Sequence, residues 1–126
     1  MTVGLGSGST VFYAIKKLGE LVSDGLNIKC VSTSSSTTQI ARESGIEIIS
    51  LDSINKIDLT IDGADEVDRE FNGIKGGGGA LLFEKIVALY SQKNIWIVDS
   101  EKLVNQLGKY PLPVEVIPFG HKRVFE

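Results

Sequence analysis

The sequence predicts an α/β fold: a three-layer, Rossmann-like domain with a mainly parallel sheet. Three observations carry this. Short β-branched runs alternate with segments of helical periodicity, glycine clusters punctuate the connections, and four predicted strands each end in an unusual polar group. The chain has 126 residues, of which 42% are apolar and 23% charged, a balance that suits one globular domain and excludes disordered, collagenous and coiled-coil chains.

The first strand is expected over residues 2–5 and runs into Gly6-Ser7-Gly8-Ser9-Thr10. A helix from about Ser9 to Val22 follows, with Phe12, Ile15, Leu18 and Leu21 or Val22 spaced as a core stripe, and Asp24-Gly25 ends it with turn chemistry. A second strand, 28–32, enters the polar tract 33–38, which caps a short helix stopped by Gly45. Strands are expected at 46–51 and 57–61, the latter ending in Asp62-Gly63-Ala64-Asp65-Glu66. After Lys75-Gly76-Gly77-Gly78-Gly79 comes a helix to about Tyr90 with Leu82, Ile86, Leu89 and Tyr90 as its core stripe. Glu84 lies off that stripe, over small residues and toward a cleft. A strand at 95–98 delivers Lys102 just beyond its end, and the proline-bearing stretch 111–118 reads as an extended edge segment.

Composition narrows the function. A net charge of −3 without a polybasic run gives no footprint for nucleic acid. Cys30 is the single cysteine and His121 the single histidine, so neither a disulfide nor a His/Cys metal cluster is expected, and neither residue receives a role. Met1-Thr2-Val3-Gly4 carries no basic region and no long apolar stretch, so the expectation is a cytoplasmic protein with no signal peptide and no membrane partner.

Ligands of open parallel sheets bind beyond the carboxyl ends of the strands. At the first such end, glycines and hydroxyls precede a helix N-terminus, an arrangement suited to phosphate or another small anion; a tight structural turn is the competing reading. It matches neither the dinucleotide fingerprint nor the P-loop. The acidic run 62–68 reads as a solvated loop, except that Asp62, at the end of an apolar strand, needs a partner; calcium spacing is lacking. Lys75, beside four bare glycines, can be that partner for Asp62 or Asp65. Glu84 is a candidate general base, the alternative being an exposed helix carboxylate, and Lys102 alone resembles any surface lysine. Together these residues suggest proton transfer on a small phosphorylated molecule.

Val3-Gly4-Leu5-Gly6-Ser7-Gly8-Ser9-Thr10, Asp62-Gly63-Ala64-Asp65-Glu66, Lys75-Gly76-Gly77-Gly78 with Glu84-Lys85, and Lys109 to Val116 resemble, in order and spacing, ribose-5-phosphate isomerase type A. The resemblance runs from Val3 to about Pro118. It implies interconversion of ribose 5-phosphate and ribulose 5-phosphate through an enediolate, a step of the pentose phosphate pathway, with no cofactor and no metal. It further implies a catalytic set of Glu84, Lys75 and Asp62: Glu84 moves the proton between C1 and C2, Lys75 stabilises the enolate, and Asp62 assists ring opening. Substrate binding is implied for Ser7, Gly8, Ser9, Thr10, Asp62, Gly63, Ala64, Asp65, Lys75, Gly76, Gly77, Gly78 and Lys102. The chain then corresponds to a single Rossmann-like catalytic domain, 1–126, without the family's N-terminal helix and C-terminal lid domain, and a homodimer or higher homo-oligomer is expected. A non-catalytic sugar-phosphate-binding module and an inactive fragment stand as alternatives.

Overall fold

A computed structural model describes residues 1–126. They form β1 (Thr2–Leu5), α1 (Ser9–Ser23), β2 (Lys29–Ser32), α2 (Ser35–Glu43), β3 (Leu59–Asp62), β4 (Glu66–Val67), β5 (Gly73–Ile74), α3 (Leu81–Leu89), β6 (Asn94–Trp96) and α4 (His121–Phe125). The main sheet is entirely parallel in the order β2-β1-β3-β6, with β4 and β5 forming a separate antiparallel pair. Because β1 is central, Gly4 is flanked by Val31 of β2 and Thr60 of β3. All four carboxyl ends therefore open onto one edge, and the polar segments that follow them meet there.

Burial follows from the apolar runs. Val3, Leu5, Val11, Ile15, Ile28, Cys30, Ala41 and Ile46 form the larger core, and Val31, Ile57 and Val87 a second one across the sheet. A fully enclosed side chain such as Leu5 or Ile15 contributes about 1.5–3 kcal/mol. No helix is long and apolar enough to cross a membrane.

Several sequence expectations are corrected. In α1 the buried line is Val11, Ile15 and Gly19, with Leu18 and Val22 packed beside it, whereas Phe12 and Leu21 are exposed. Both sets have helical spacing; Phe12 instead meets the Tyr13 ring edge-on at 5.4 Å, outside the core. The stretch 46–51 contributes only an isolated bridge, Cys30 to Ile48, before a 3-10 turn at Leu51–Ser53.

In α3 the expected stripe of Leu82, Ile86, Leu89 and Tyr90 is exposed, and Glu84 and Val87 are buried instead. Apolar residues occur on most sides of this helix, so periodicity could not choose the face. Packing chooses it: Val87 lies against Val31 and Ile57, and its side chain fills the space beside Gly4. The segment 111–118 joins no ladder, and the strand that precedes Lys75 is β5 of the short antiparallel pair and not a strand of the parallel sheet.

Candidate functional site

The loop leaving β1 lies directly on the end of β3. The Gly6 amide donates to the Ile61 carbonyl at 2.9 Å, and a Cβ on Gly6 would occupy the position of the Asp62 carboxylate. Gly8 then turns the chain into α1 with φ of 115°, a conformation that favours glycine, and α1 begins without a side-chain cap. Its first amides are thus left to face an anion.

Ser7 Oγ lies 2.8 Å from Thr33 Oγ1, 2.9 Å from Ser34 Oγ and 3.3 Å from Thr37 Oγ1, and Thr37 in turn donates to the Gly6 carbonyl at 2.9 Å. The Ser7 hydroxyl therefore ties the first two strand-end loops together. Ser34 and Ser36, expected only to cap a helix, also reach the cleft. The available signal was their position in the polar tract after the second strand.

Asp62, buried to 3% exposure, accepts from the Gly63 amide at 2.7 Å and the Ser7 amide at 3.3 Å. Lys75 Nζ sits 3.2 Å from Asp62 Oδ2 and 3.2 Å from Glu84 Oε2, and donates to the Gly63 carbonyl at 2.5 Å. Asp65 is not an ion-pair partner of Lys75; its Oδ2 accepts from the Gly77 amide at 2.8 Å. Burial, and secondarily the Asp62 charge, push the Glu84 carboxyl above its ordinary value of 4.5, with Lys75 opposing the rise.

A cleft of about 370 Å³ opens over this array. Ser7, Gly8, Ser9, Thr10, Gly63, Ala64, Asp65, Lys75, Gly76, Gly77, Gly78, Glu84 and Lys102 all line it, while Asp62 lies beneath, reached through Lys75. Cys30 is fully buried, and its thiol is pushed up to about 12; His121 is exposed on α4. Neither approaches the cleft. A desolvated carboxylate, an ammonium beside it and an uncapped helix start can together hold a phosphorylated molecule and move a carbon-bound proton.

The family model of ribose 5-phosphate isomerase A (phosphoriboisomerase A) matches residues 29–126. The chain belongs to the ribose 5-phosphate isomerase A family. It is 64% identical over 124 residues to ribose-5-phosphate isomerase A of Listeria innocua, covering 98% of this chain and 55% of that protein. With the enzyme of Limosilactobacillus reuteri it shares 58% over 128 residues, covering 100% and 56%. Among solved structures, a D-ribose-5-phosphate isomerase in complex with phospho-erythronic acid superposes with a TM-score of 0.95 at 46% identity, covering 99% of this chain and 56% of that one. Ribose 5-phosphate isomerase from Plasmodium falciparum gives 0.93 at 43%, covering 99% and 55%. The chain thus spans about half the length of the curated ribose 5-phosphate isomerase A relatives it matches.

Proposed function

We propose that residues 1–126 are a single catalytic domain that interconverts D-ribose 5-phosphate and D-ribulose 5-phosphate through an enediolate. The observation that carries the reading is the buried Glu84 carboxylate, joined through Lys75 to Asp62 at the wall of a cleft rimmed by Ser7 to Thr10. Pure binding needs no base held in this way. A related structure, similar over nearly all of this chain, holds phospho-erythronic acid, a phosphorylated sugar acid, which supports a phosphorylated open-chain polyol as ligand.

In this reading the phosphate rests at the start of α1 on Ser9 and Thr10, near Lys102. The Glu84 carboxylate takes the proton from C2 of the open-chain aldose, giving an enediolate, and returns it to C1 while the hydroxyl proton passes from O2 to O1, leaving a ketone at C2 and a hydroxyl at C1. The Lys75 ammonium offsets charge developing on the oxygens, a preorganised effect of roughly 3 kcal/mol. Asp62 assists ring opening, and Asp65 with the Gly63, Ala64 and Gly76–Gly78 backbone lines the substrate. The setting is the pentose phosphate pathway in the cytoplasm. A homodimer or higher homo-oligomer is supported by the exposed apolar side chains of α3, Leu82, Phe83 and Leu89.

The test is to mix the chain with ribose 5-phosphate in deuterated water and follow ribulose 5-phosphate and C2 deuteration by NMR, with Glu84→Gln as control. Product and exchange that vanish in the control are expected. No product and no exchange from a folded sample would reject catalysis by this chain.

A further inference from the structure

Glu66 follows the acidic residues of the site in sequence but faces away from the cleft, on β4, and is buried to 3% exposure. A buried carboxylate needs donors, and here they are backbone amides from a distant segment: Gly108 N–H donates to Oε2 at 2.8 Å, and Tyr110 N–H donates to Oε1. A further amide, that of Val104, donates to the Val67 carbonyl at 2.9 Å. The chain from 104 to 110 is thereby strapped to β4.

The strap meets the glycine loop at Tyr110. A Cβ on Gly77 would clash with the Tyr110 hydroxyl and lie 2.8 Å from Asp65 Oδ1, and one on Gly76 would lie 3.5 Å from Pro113. The Gly77 amide is already held by the other oxygen of Asp65. Tyr110 therefore backs the loop that forms one wall of the cleft, and Tyr110 is itself held by Glu66.

We propose that Glu66 is a positioning residue: by anchoring Gly108 and Tyr110 it fixes the Gly76–Gly78 loop, and with it the approach to Lys75. Its sequence neighbour Asp65 lines the cleft and Asp62 lies just beneath it, paired with Lys75, whereas Glu66 acts from behind, through Tyr110. The ligand readout below rests on the function proposed above; the exchange readout does not.

The experiment is backbone amide exchange by NMR on the full chain, wild type and Glu66→Gln, with titration of phospho-erythronic acid. In the wild type, Gly108 and Tyr110 amides are expected to be strongly protected relative to the exposed Phe119 amide; exchange as fast as Phe119 overturns the proposal without any variant. In Glu66→Gln one amide meets an NH2 group, donor against donor. Exchange at Gly108 and Tyr110 is expected to rise at least tenfold, with Val3 and Leu5 unchanged. The deciding readout is Gly77, which Glu66 does not touch: its exchange should rise severalfold, and affinity for phospho-erythronic acid should fall about tenfold. A rise confined to Gly108 and Tyr110, with Gly77 unmoved, reduces Glu66 to a local structural role and overturns the proposal. Absence of wild-type binding rejects the functional reading and leaves the Gly77 result decisive. If Glu66→Gln loses protection at Val3 and Leu5, Tyr110→Phe takes its place: an unmoved Gly77 amide there overturns the relay, and a moved one supports it.

Discussion

The Lys75 ammonium lies 3.2 Å from the Glu84 carboxylate, and the pair is nearly closed to solvent, at 14% and 7% side-chain exposure. The same ammonium lies 3.2 Å from Asp62, so one cation serves two buried acids. Burial first, and then the charge of Asp62 that the shared cation leaves partly uncompensated, raise the proton affinity of Glu84.

Glu84→Gln is expected to remove turnover by at least about 10²- to 10⁴-fold, the usual range for a general base. Sugar-phosphate binding should persist, since the Ser7–Thr10 rim of the cleft, where the phosphate is proposed to rest, is built by other residues. NMR-detected C2 deuteration measures the first, and a thermal-shift titration the second.

The pH dependence follows in sign. A base works when deprotonated, so the acid limb of kcat/KM should fall above 4.5, the ordinary glutamate value. Between that value and the raised folded one, the native state binds more protons than the unfolded chain, so stability declines as pH climbs through the window. Glu84→Gln, permanently neutral, should melt at or above wild type at neutral pH, with the gap closing toward 4.5. Paired melting curves across that range check it.

Lys75→Met leaves two buried carboxylates without their cation. Breaking a buried pair in this way costs about 3–5 kcal/mol at neutral pH, partly recovered in acid as the carboxyls protonate. Urea unfolding at two pH values measures this, and equal losses at both would contradict the electrostatic account.

Gly6→Ala drives a methyl group into the Asp62 carboxylate. Overpacking of this kind costs about 1–3 kcal/mol and should also displace the Asp62 contact with Lys75. Chemical denaturation together with the isomerisation assay tests both effects.

Cys30 is enclosed and its thiol is held at about 12, so a thiol reagent should fail to label the native chain and label it fully in denaturant. Rapid native labelling would show that the β1–β2 core opens readily.

How much was legible depended on what each signal measures. The first strand, both early helices and the place of Asp62 could be read because strand ends of a parallel sheet share an edge, and their polar residues stand out against apolar runs. Lys75, after β5 of the antiparallel pair, and Glu84, on α3, join Asp62 from outside that sheet, and what marked them was their charge beside the glycine run. The face of α3 could not be read: Leu82, Ile86 and Leu89 satisfy helical spacing as well as Val87 does, and only the position of Val31 and Ile57 decides between them. Glu66 was hidden for a different reason, since its partners at Gly108 and Tyr110 are backbone amides, which carry no signature in side-chain chemistry.

The central place of β1 also bears on how the chain is made. Its partner β3 begins at Leu59, and at about 5–20 residues per second the ribosome needs roughly 3–11 s to pass from Leu5 to that point. During that interval Val3 and Leu5 can pair only with β2, and one flank of the nascent sheet stays open to chaperones and to neighbouring chains. Slowing translation between α2 and β3 should therefore lower the yield of folded protein more than slowing it after β6.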